Sequence, residues 1–131
     1  MFIDASALCA MLTDEGDARE LLARLQGTTM RLTSPLAVWE TAISVARILD
    51  LPLDEARQAV EEYLDLMEIA VVAVPPEAAA IAIDAFGRYG KGRHPAGLNF
   101  GDCFAYACAR LNHEPLLFKG GDFPQTDIEA A

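Results

Sequence analysis

Four carboxylates lie where the chain is predicted to pass between a strand and a helix. Asp4 ends the first strand, Glu40 lies in the second turn of the helix after the second strand, Asp102 lies in the first turn of a later helix, and Asp122 follows the fourth strand. In open parallel sheets, ligands collect beyond the carboxyl ends of the strands. We therefore expect all four side chains to face one edge of the sheet.

Carboxylates that converge in this way need a neutralising partner. Two like charges about 4 Å apart repel by roughly 4 kcal/mol at an effective dielectric constant near 20. No Lys or Arg adjoins Asp4, Glu40 or Asp102 in the sequence. Oxygen ligands select hard ions, so Mg²⁺ or Mn²⁺ held by a few carboxylates and several waters is the expected occupant. Such a site can activate water and stabilise the leaving oxygen of a phosphodiester.

Three of these acids also have a purely structural explanation. Asp4 could cap the first helix, Asp102 could complete a capping box with Asn99, and Asp122 could form an Asx-turn. For each of the three alone, the structural explanation is favoured. Glu40 differs, because apolar residues surround it in the sequence and an unpaired carboxylate among them would be costly.

The elements that must position these acids belong to a chain of 131 residues, of which 53% are hydrophobic and 23% charged. This composition predicts one compact domain over residues 1–131. A domain of this size typically buries about two thirds of the surface of the unfolded chain. We therefore expect a metal to serve chemistry rather than folding.

Strands alternate with helices in the hydrophobic pattern. The predicted strands cover residues 1–4, 31–33, 69–74, 115–118 and 126–128, and the predicted helices cover residues 7–12, 14–26, 36–50, 54–67, 76–89 and 100–111. The uninterrupted β-branched run at 69–74 predicts a central strand buried on both faces. The alternation predicts an α/β fold: a three-layer α/β/α domain with a short parallel sheet flanked by helices.

Charge and cysteine content restrict the class of protein. Ten basic against twenty acidic residues give a net charge of −10, which would repel nucleic acid unless the acids are gathered and masked by divalent cations. Three cysteines without a Cys-x-x-Cys pair argue against a disulfide framework and a thiolate zinc site. The chain starts without a basic leader, and its apolar runs are shorter than the roughly 20 residues of a membrane helix. We expect a cytoplasmic protein that does not enter membranes.

Four sequence motifs resemble those of PIN-domain ribonucleases, and most closely the VapC-type toxins of bacterial type II toxin–antitoxin pairs. The motifs are Phe2–Leu8 (FIDASAL), Trp39–Ala42 (WETA), Leu98–Ala107 (LNFGDCFAYA) and Leu116–Phe123 (LLFKGGDF). They occur in the order of the family and extend over essentially the whole chain. The resemblance implies a Mg²⁺- or Mn²⁺-dependent endoribonuclease that uses water as the nucleophile and leaves a 5′-phosphate and a 3′-hydroxyl.

The same resemblance assigns roles to individual acids. Asp4, Glu40 and Asp102 match the three main metal-site acids of the family, and Asp122 matches the more variable fourth. Asp127, five residues further along, could share that fourth role. The identity of the fourth acid therefore stays open between Asp122 and Asp127.

Three residues are candidates for handling the RNA. Ser6 matches the small hydroxyl residue that orients the first aspartate or a metal-bound water in the family. Arg93 and His94 lie in a glycine-rich basic loop, residues 90–97, that leads directly toward Asp102. These two could hold the RNA backbone or could belong to an ordinary solvated loop, and the sequence does not separate the alternatives.

The resemblance also implies partners. It predicts a homodimer that is inhibited by a cognate VapB-type antitoxin, whose C-terminal segment covers the site, often with an arginine among the acids. The competing hypothesis is a catalytically degenerate PIN fold that only sequesters antitoxin or RNA. The presence of all four acids favours the enzyme.

Overall fold

The computed structural model describes all residues from 1 to 131. The strands are β1 (Phe2–Ile3), β2 (Leu32–Thr33), β3 (Ala70–Val71) and β4 (Leu116–Leu117). The helices are α1 (Ala5–Leu12), α2 (Ala18–Gln26), α3 (Pro35–Leu49), α4 (Leu53–Leu66), α5 (Ala78–Tyr89) and α6 (Phe100–Leu111), with one 3₁₀ turn at Phe123–Gln125. None of these helices is both long and apolar enough to cross a membrane.

The four strands form one parallel sheet in the order β3-β2-β1-β4. Strand β1 is central, and Phe2 pairs with Leu32 on one side and with Leu116 on the other. All four strands therefore end at the same edge, as the predicted α/β fold requires. The chain leaves β1 at Asp4 and enters α1 at once, which fixes this carboxylate at that edge.

Alternating side chains of the sheet divide the core into two halves. Ile3 and Leu117 pack in one cluster with residues of the first four helices. Phe2 and Leu116 point to the opposite face and pack with α5 and α6. This alternation follows from the two-residue period of a strand and gives the three layers that the sequence predicts.

Two helices near the site begin with side-chain caps. The Ser34 hydroxyl accepts a hydrogen bond from the Ala37 N–H at 3.2 Å, and Pro35 occupies the first helical position of α3. Asn99 caps α6, and its side chain forms a reciprocal capping box with Asp102. These caps orient the starts of the two helices, which carry Glu40 in the second turn of α3 and Asp102 in the first turn of α6.

The prediction of a central strand over residues 69–74, buried on both faces, is wrong. Only Ala70 and Val71 form β3, both are exposed, and β3 lies at the edge of the sheet. The β-branched run favours extended backbone, but the place of a strand in the sheet depends on which strands pair with it. Strand β2 supplies the only neighbour of β3.

The predicted last strand at residues 126–128 is also wrong. This segment follows the 3₁₀ turn, and the Thr126 hydroxyl accepts a hydrogen bond from the Ile128 N–H at 3.2 Å. A single bridge between Leu116 and Ala130 is the only pairing that the chain end makes with the sheet. The local turn formed by Thr126 thus replaces a ladder that the β-branched residues alone would favour.

Candidate active site

A cavity of about 330 Å³, which we call the acid pocket, opens where β1 ends. Three of the four predicted acids line it, each from a different element: Asp4 after β1, Glu40 on α3 and Asp102 on α6. A fourth carboxylate of the lining, that of Glu15, pairs with Lys119. The other lining residues are Ala5, Ser6, Cys9, Ser44, Arg47, Ile48, Asn99 and Lys119.

Asp4 is fixed by a short chain of hydrogen bonds. Its Oδ2 accepts the Ser6 N–H at 3.0 Å and the Ser6 hydroxyl at 2.5 Å. The Ser6 Oγ in turn accepts the Lys119 backbone N–H at 3.0 Å, which ties the end of β1 to the segment after β4. Asp4 therefore caps α1, as the structural explanation predicts, and also lines the pocket.

Glu40 occupies a space that Gly101 leaves open. A Cβ atom on Gly101 would overlap both carboxylate oxygens of Glu40, so the α3 carboxylate lies directly against the first turn of α6. Glu40 itself is half-buried, whereas its neighbour Trp39 is 65% exposed. The expected apolar surroundings of Glu40 are thus only partly formed, and the carboxylate faces the pocket because Gly101 admits it.

Asp102 serves a cap and the pocket at the same time. Its Oδ2 accepts the Asn99 N–H at 3.0 Å, and its own N–H donates to Asn99 Oδ1 at 2.9 Å. The cap therefore holds the side chain in one orientation through Oδ2. Oδ1 is not used by the cap and is available to a ligand.

The acids of the pocket disfavour one another's ionised forms. Burial, followed by the charges of Asp4 and Asp102, raises the pKa of Glu40 to about 7. Burial, with the charges of Asp4 and Asp122 adding to it, raises the pKa of Asp102 to about 6 against the hydrogen bond from Asn99. The pKa of Asp4 is also raised by burial, against its hydrogen bonds to Ser6. The pocket thus holds negative charge that no side chain of the protein neutralises.

The acid pocket fits a hard divalent cation only in part as it stands. No group of three His, Cys, Asp or Glu side chains is close enough together to hold a metal ion in this arrangement. The expectation that Asp4, Glu40 and Asp102 surround one ion is therefore not met by the side-chain positions of the structure. Mg²⁺ is commonly held by one or two carboxylates and several waters, and the oxygen ligands, the unbalanced charge and the open volume suit that mode.

The two candidates for the fourth acid occupy different surroundings. Asp122 is exposed and does not line the acid pocket, but it is close enough for its charge to raise the pKa of Asp102. Asp127 is already engaged: it accepts hydrogen bonds from Tyr106 at 2.7 Å and Arg110 at 2.8 Å. Tyr106 stands one helical turn beyond Asp102, so the structure does not bring Asp127 into the pocket.

The structure also places Arg93 and His94 outside the acid pocket. The Arg93 guanidinium lies over the Phe86 ring, 5.5 Å from its centroid. The His94 ring contacts Tyr89 edge-on, and its Nδ1 accepts the Ala96 N–H at 3.1 Å. Both side chains thus pack within or beside their own loop.

Two basic residues that were not among the predicted site residues, Arg47 and Lys119, also line the pocket. The Lys119 ammonium forms ion pairs with Glu15 and with Asp17. Arg47 forms no ion pair and no hydrogen bond through its side chain. The spacing of Glu40 and Arg47, seven residues apart on one helix, places both on one face and was the available sequence signal.

A second cavity lies between α5 and α6 and is entirely apolar. It has a volume of about 400 Å³, and Ile83, Phe86, Phe100 and Phe104 are among its lining residues. Cys103 also lines it, and burial raises the pKa of this thiol to about 11. Cys103 is thus an unreactive residue of the cavity wall.

Comparison with known proteins places this geometry in a family. Residues 1–129 match the PIN domain family. The chain belongs to the PIN domain family. This PIN domain is 43% identical to ribonuclease VapC30 of Mycobacterium tuberculosis over 128 residues, which cover 98% of this chain and 95% of that protein. It is 44% identical to ribonuclease VapC of Mycolicibacterium smegmatis, over 99% of this chain and 98% of the relative.

A solved structure supports the fold of this PIN domain. The crystal structure of Mycobacterium tuberculosis VapC20, described as a Sarcin-Ricin loop cleaving toxin, superposes with a TM-score of 0.76. The superposition covers 99% of this chain and 97% of that one, at 17% sequence identity. The fold is therefore that of a VapC protein, and the relatives at 43–44% identity place this PIN domain among the VapC proteins.

Proposed function

We propose that this PIN domain is a Mg²⁺- or Mn²⁺-dependent endoribonuclease of a VapBC-type toxin–antitoxin pair. The observation that carries the proposal is the acid pocket, where Asp4, Glu40 and Asp102 converge from three elements and no cation of the chain pairs with them. Folding a protein around unpaired carboxylates is unfavourable unless a ligand uses them. The relatives named as ribonucleases indicate that the reaction is RNA cleavage.

Each acid has a distinct task in this proposal. Asp4 and Asp102 would hold the ion, since each is fixed by hydrogen bonds that its own helix start supplies. A bound divalent ion would activate water and stabilise the leaving oxygen of the phosphodiester. Glu40, which is held against Gly101, would complete the charge around it. Asp122 is the better candidate for the fourth acid, because Asp127 is committed to Tyr106 and Arg110.

Ser6 acts on Asp4 in this scheme. Its hydroxyl donates to Asp4 Oδ2 and accepts the Lys119 N–H, so the hydroxyl hydrogen has one orientation. The carboxylate is therefore presented to the pocket in one rotamer without the entropy cost of fixing it when the ion arrives. Hydrolysis would add water at phosphorus and break the bond to the 3′ oxygen, leaving a 5′-phosphate and a 3′-hydroxyl.

The proposed partners are a VapB-type antitoxin and a second copy of the chain. Large apolar side chains of α3 and α4 remain exposed, among them Ile48, Leu49 and Leu66, and offer surface to a protein partner. The apolar cavity between α5 and α6 adds Ile83 and Phe100, which are 72% and 66% exposed. Light scattering of the purified protein measures whether it forms a dimer.

Cleavage of RNA by the purified protein tests the proposed activity. We expect cleavage with Mg²⁺ or Mn²⁺, loss of cleavage in a chelator and recovery when the ion is returned. Asp4→Asn keeps the shape of the side chain and is the control for contaminating nucleases. RNA cleavage by this folded variant at the rate of the wild type would contradict the proposal.

Calorimetric titration with Mn²⁺ separates the enzyme from the degenerate binding module. The enzyme should bind the ion, and Asp4→Asn and Asp102→Asn should each weaken the binding. A scaffold that only sequesters antitoxin or RNA should show no binding that depends on these acids. Mapping of RNA ends in cells after brief induction of the wild type, beside Asp4→Asn, would identify the RNA that is cut.

A further inference from the structure

Arg47 is a cation of the acid pocket that the metal chemistry does not use. It stands on α3, seven residues after Glu40, and lines the same pocket. Seven residues of helix advance about 10 Å and return to nearly the same face. Arg47 and Glu40 therefore line one cavity from the same face of α3, about two helical turns apart.

No carboxylate of the protein forms an ion pair with the Arg47 guanidinium. Other cations near the site are paired: Lys119 binds Glu15 and Asp17, and Arg110 binds Asp127. Arg47 has no such partner, although the chain carries twice as many acidic as basic residues. Its guanidinium presents five donors in a planar fork, which suits the two oxygens of a phosphate.

The charge of Arg47 also acts on a neighbouring residue of the pocket wall. Burial raises the pKa of the Cys9 thiol, and a hydrogen bond with Thr13, followed by the positive charges of Arg47 and Lys119, acts against that rise. Cys9 itself lines the acid pocket. The guanidinium thus acts on the interior of the cavity and not only on bulk solvent.

We propose that Arg47 is a substrate-binding residue that holds a phosphate of the RNA strand next to the scissile one. This inference rests on the proposed ribonuclease function and extends it to a residue outside the family motifs. The carboxylates of the pocket repel an RNA strand until a divalent ion neutralises them, whereas Arg47, about two turns further along α3, attracts the strand. The separation of about 10 Å along α3 assigns Arg47 to a neighbouring phosphate rather than to the reacting one.

The structural alternative is stabilisation of α3. Arg47 lies in the last turn of this helix, where a positive charge interacts favourably with the helix dipole. That role would change the melting temperature of the protein but not the salt dependence of RNA binding. A measurement of salt dependence therefore separates the two roles.

Arg47→Gln tests the proposal, and Arg19→Gln is the matched control. Arg19 is also an exposed helical arginine without an ion pair, but it lies on α2 outside the acid pocket. Both variants change the net charge by the same amount. Each is made in the Asp4→Asn background, so that the RNA is not cleaved, and binding of a fluorescent single-stranded oligoribonucleotide of mixed sequence is measured in Mg²⁺ at several salt concentrations.

We expect Arg47→Gln to weaken RNA binding about tenfold, the order of one charge-assisted hydrogen-bonded contact. The slope of log K against log salt should fall by about 0.7, the value for one phosphate contact of a single strand. Arg47→Lys should retain the slope and lose part of the affinity, because it keeps the charge without the fork. Arg19→Gln should leave both quantities unchanged.

Two results would overturn the proposal. One is an equal affinity and slope for Arg47→Gln and Arg19→Gln, and the other is no RNA binding by the Asp4→Asn parent. Failure of the proposed function is recognised separately, because it appears as absence of metal-dependent cleavage by the wild type. Calorimetry with Mn²⁺ should show that Arg47→Gln binds the ion at least as tightly as the wild type, because the variant removes a positive charge from the pocket and no ligand of the ion.

Discussion

Two clusters of carboxylates in this PIN domain lie in opposite electrostatic surroundings. In the acid pocket, burial and neighbouring acids raise the pKa of Asp102 to about 6. In the tail cluster, which consists of Asp127, Arg88, Arg110 and Tyr106, the hydrogen bond from Tyr106 and the two guanidinium groups lower the pKa of Asp127. Both clusters include residues of α6, and Tyr106 stands one helical turn after Asp102.

The difference shows which acids the fold uses for itself. The tail cluster supplies two arginines to one aspartate and thereby attaches the C-terminal segment to α5 and α6. The acid pocket holds three carboxylates without a cation partner, Asp4, Glu40 and Asp102, and its one unpaired cation, Arg47, forms no ion pair with them. A carboxylate that the chain neutralises is structural, whereas carboxylates left without counter-charge must bind a proton or an external cation.

The largest predicted difference is between two single variants, each of which removes one carboxylate charge from one of the two clusters. Asp102→Asn should reduce RNA cleavage by about 1,000-fold or more, because several kcal/mol of metal-dependent transition-state stabilisation are lost. Asp127→Asn should cleave at nearly the rate of the wild type. Rates of RNA cleavage at saturating Mg²⁺ measure both.

The Asp102→Asn variant should still fold, because the asparagine oxygen can accept the Asn99 N–H of the capping box. Circular dichroism and thermal melting check this. A comparable loss of cleavage in Asp127→Asn would break the distinction between the clusters and would assign Asp127 to the site.

Gly101→Ala should have the second largest effect, and it changes no charge. The added Cβ would overlap the Glu40 carboxylate and displace it from α6. We expect cleavage to fall about 10- to 100-fold, since displacement of a positioned group by about 1 Å can cost on the order of 100-fold.

Gly87→Ala is the matched control for the helical glycine, because Gly87 lies in α5 with no atom near the added methyl group. It should keep full activity. Equal activities of the two variants would show that the contact between Gly101 and Glu40 has no role in catalysis.

The acid pocket should make the folded protein less stable as the pH rises, which is the opposite of the usual effect of carboxylates that are paired in the folded state. The pKa of Glu40 rises from an ordinary 4.5 to about 7 on folding, so the folded protein binds a proton more tightly than the unfolded chain does. In a chelator, the free energy of unfolding should therefore fall as the pH rises from about 4.5 to 7, by about 1 kcal/mol after allowance for solvent screening of this half-exposed group. Thermal melting at fixed ionic strength measures the change.

Glu40→Gln should reduce this slope without abolishing it, because folding also raises the pKa of Asp102 to about 6. Mn²⁺ should reverse the slope in the wild type by stabilising the ionised acids. Asp127 acts in the opposite direction, because its pKa is lowered in the folded protein and its contribution is lost as the pH falls below the ordinary value of 3.8. If the free energy of unfolding of the wild type rose steadily from pH 4.5 to 7 in the chelator, the conclusion that the pocket holds unneutralised negative charge would be wrong.

The smallest predicted effect is on stability in the tail cluster. Asp127→Asn should lower the free energy of unfolding by about 0.5–1 kcal/mol, because its ion pairs are largely solvent-exposed. Chemical denaturation measures this loss, and Arg57→Gln, which removes an exposed pair with Glu61 on α4, provides a comparison. A loss no larger than that of Arg57→Gln would show that the tail cluster does not anchor the C-terminal segment.

The sequence predicted the local features of the site well, because they depend on short-range chemistry. Asp4 caps α1 and Asp102 forms the capping box with Asn99, as the structural explanation of these acids predicts, and both acids also line the pocket. These features follow from spacings of two to four residues, which helix geometry fixes.

Features that depend on long-range pairing were harder to predict. The strand at 69–74 was expected in the centre, but the centre belongs to β1, whose two residues pair with β2 and β4. No sequence pattern near Asp127 predicts its ion pair with Arg88, which lies 39 residues earlier in the chain. Only the three-dimensional structure shows the pairing of Asp127. It alone also shows that the Glu40 carboxylate fills the space that a side chain on Gly101 would occupy.

The hydrogen bond from the Lys119 N–H to Ser6 has a consequence for biosynthesis. It joins residues 113 positions apart, and β1 lacks one of its two neighbours until β4 has been made. At 5–20 residues per second, Ser6 would wait roughly 10 seconds for Lys119 to be synthesised. A nascent chain of this protein would thus be unable to assemble the pocket until β4 and Lys119 have left the ribosome.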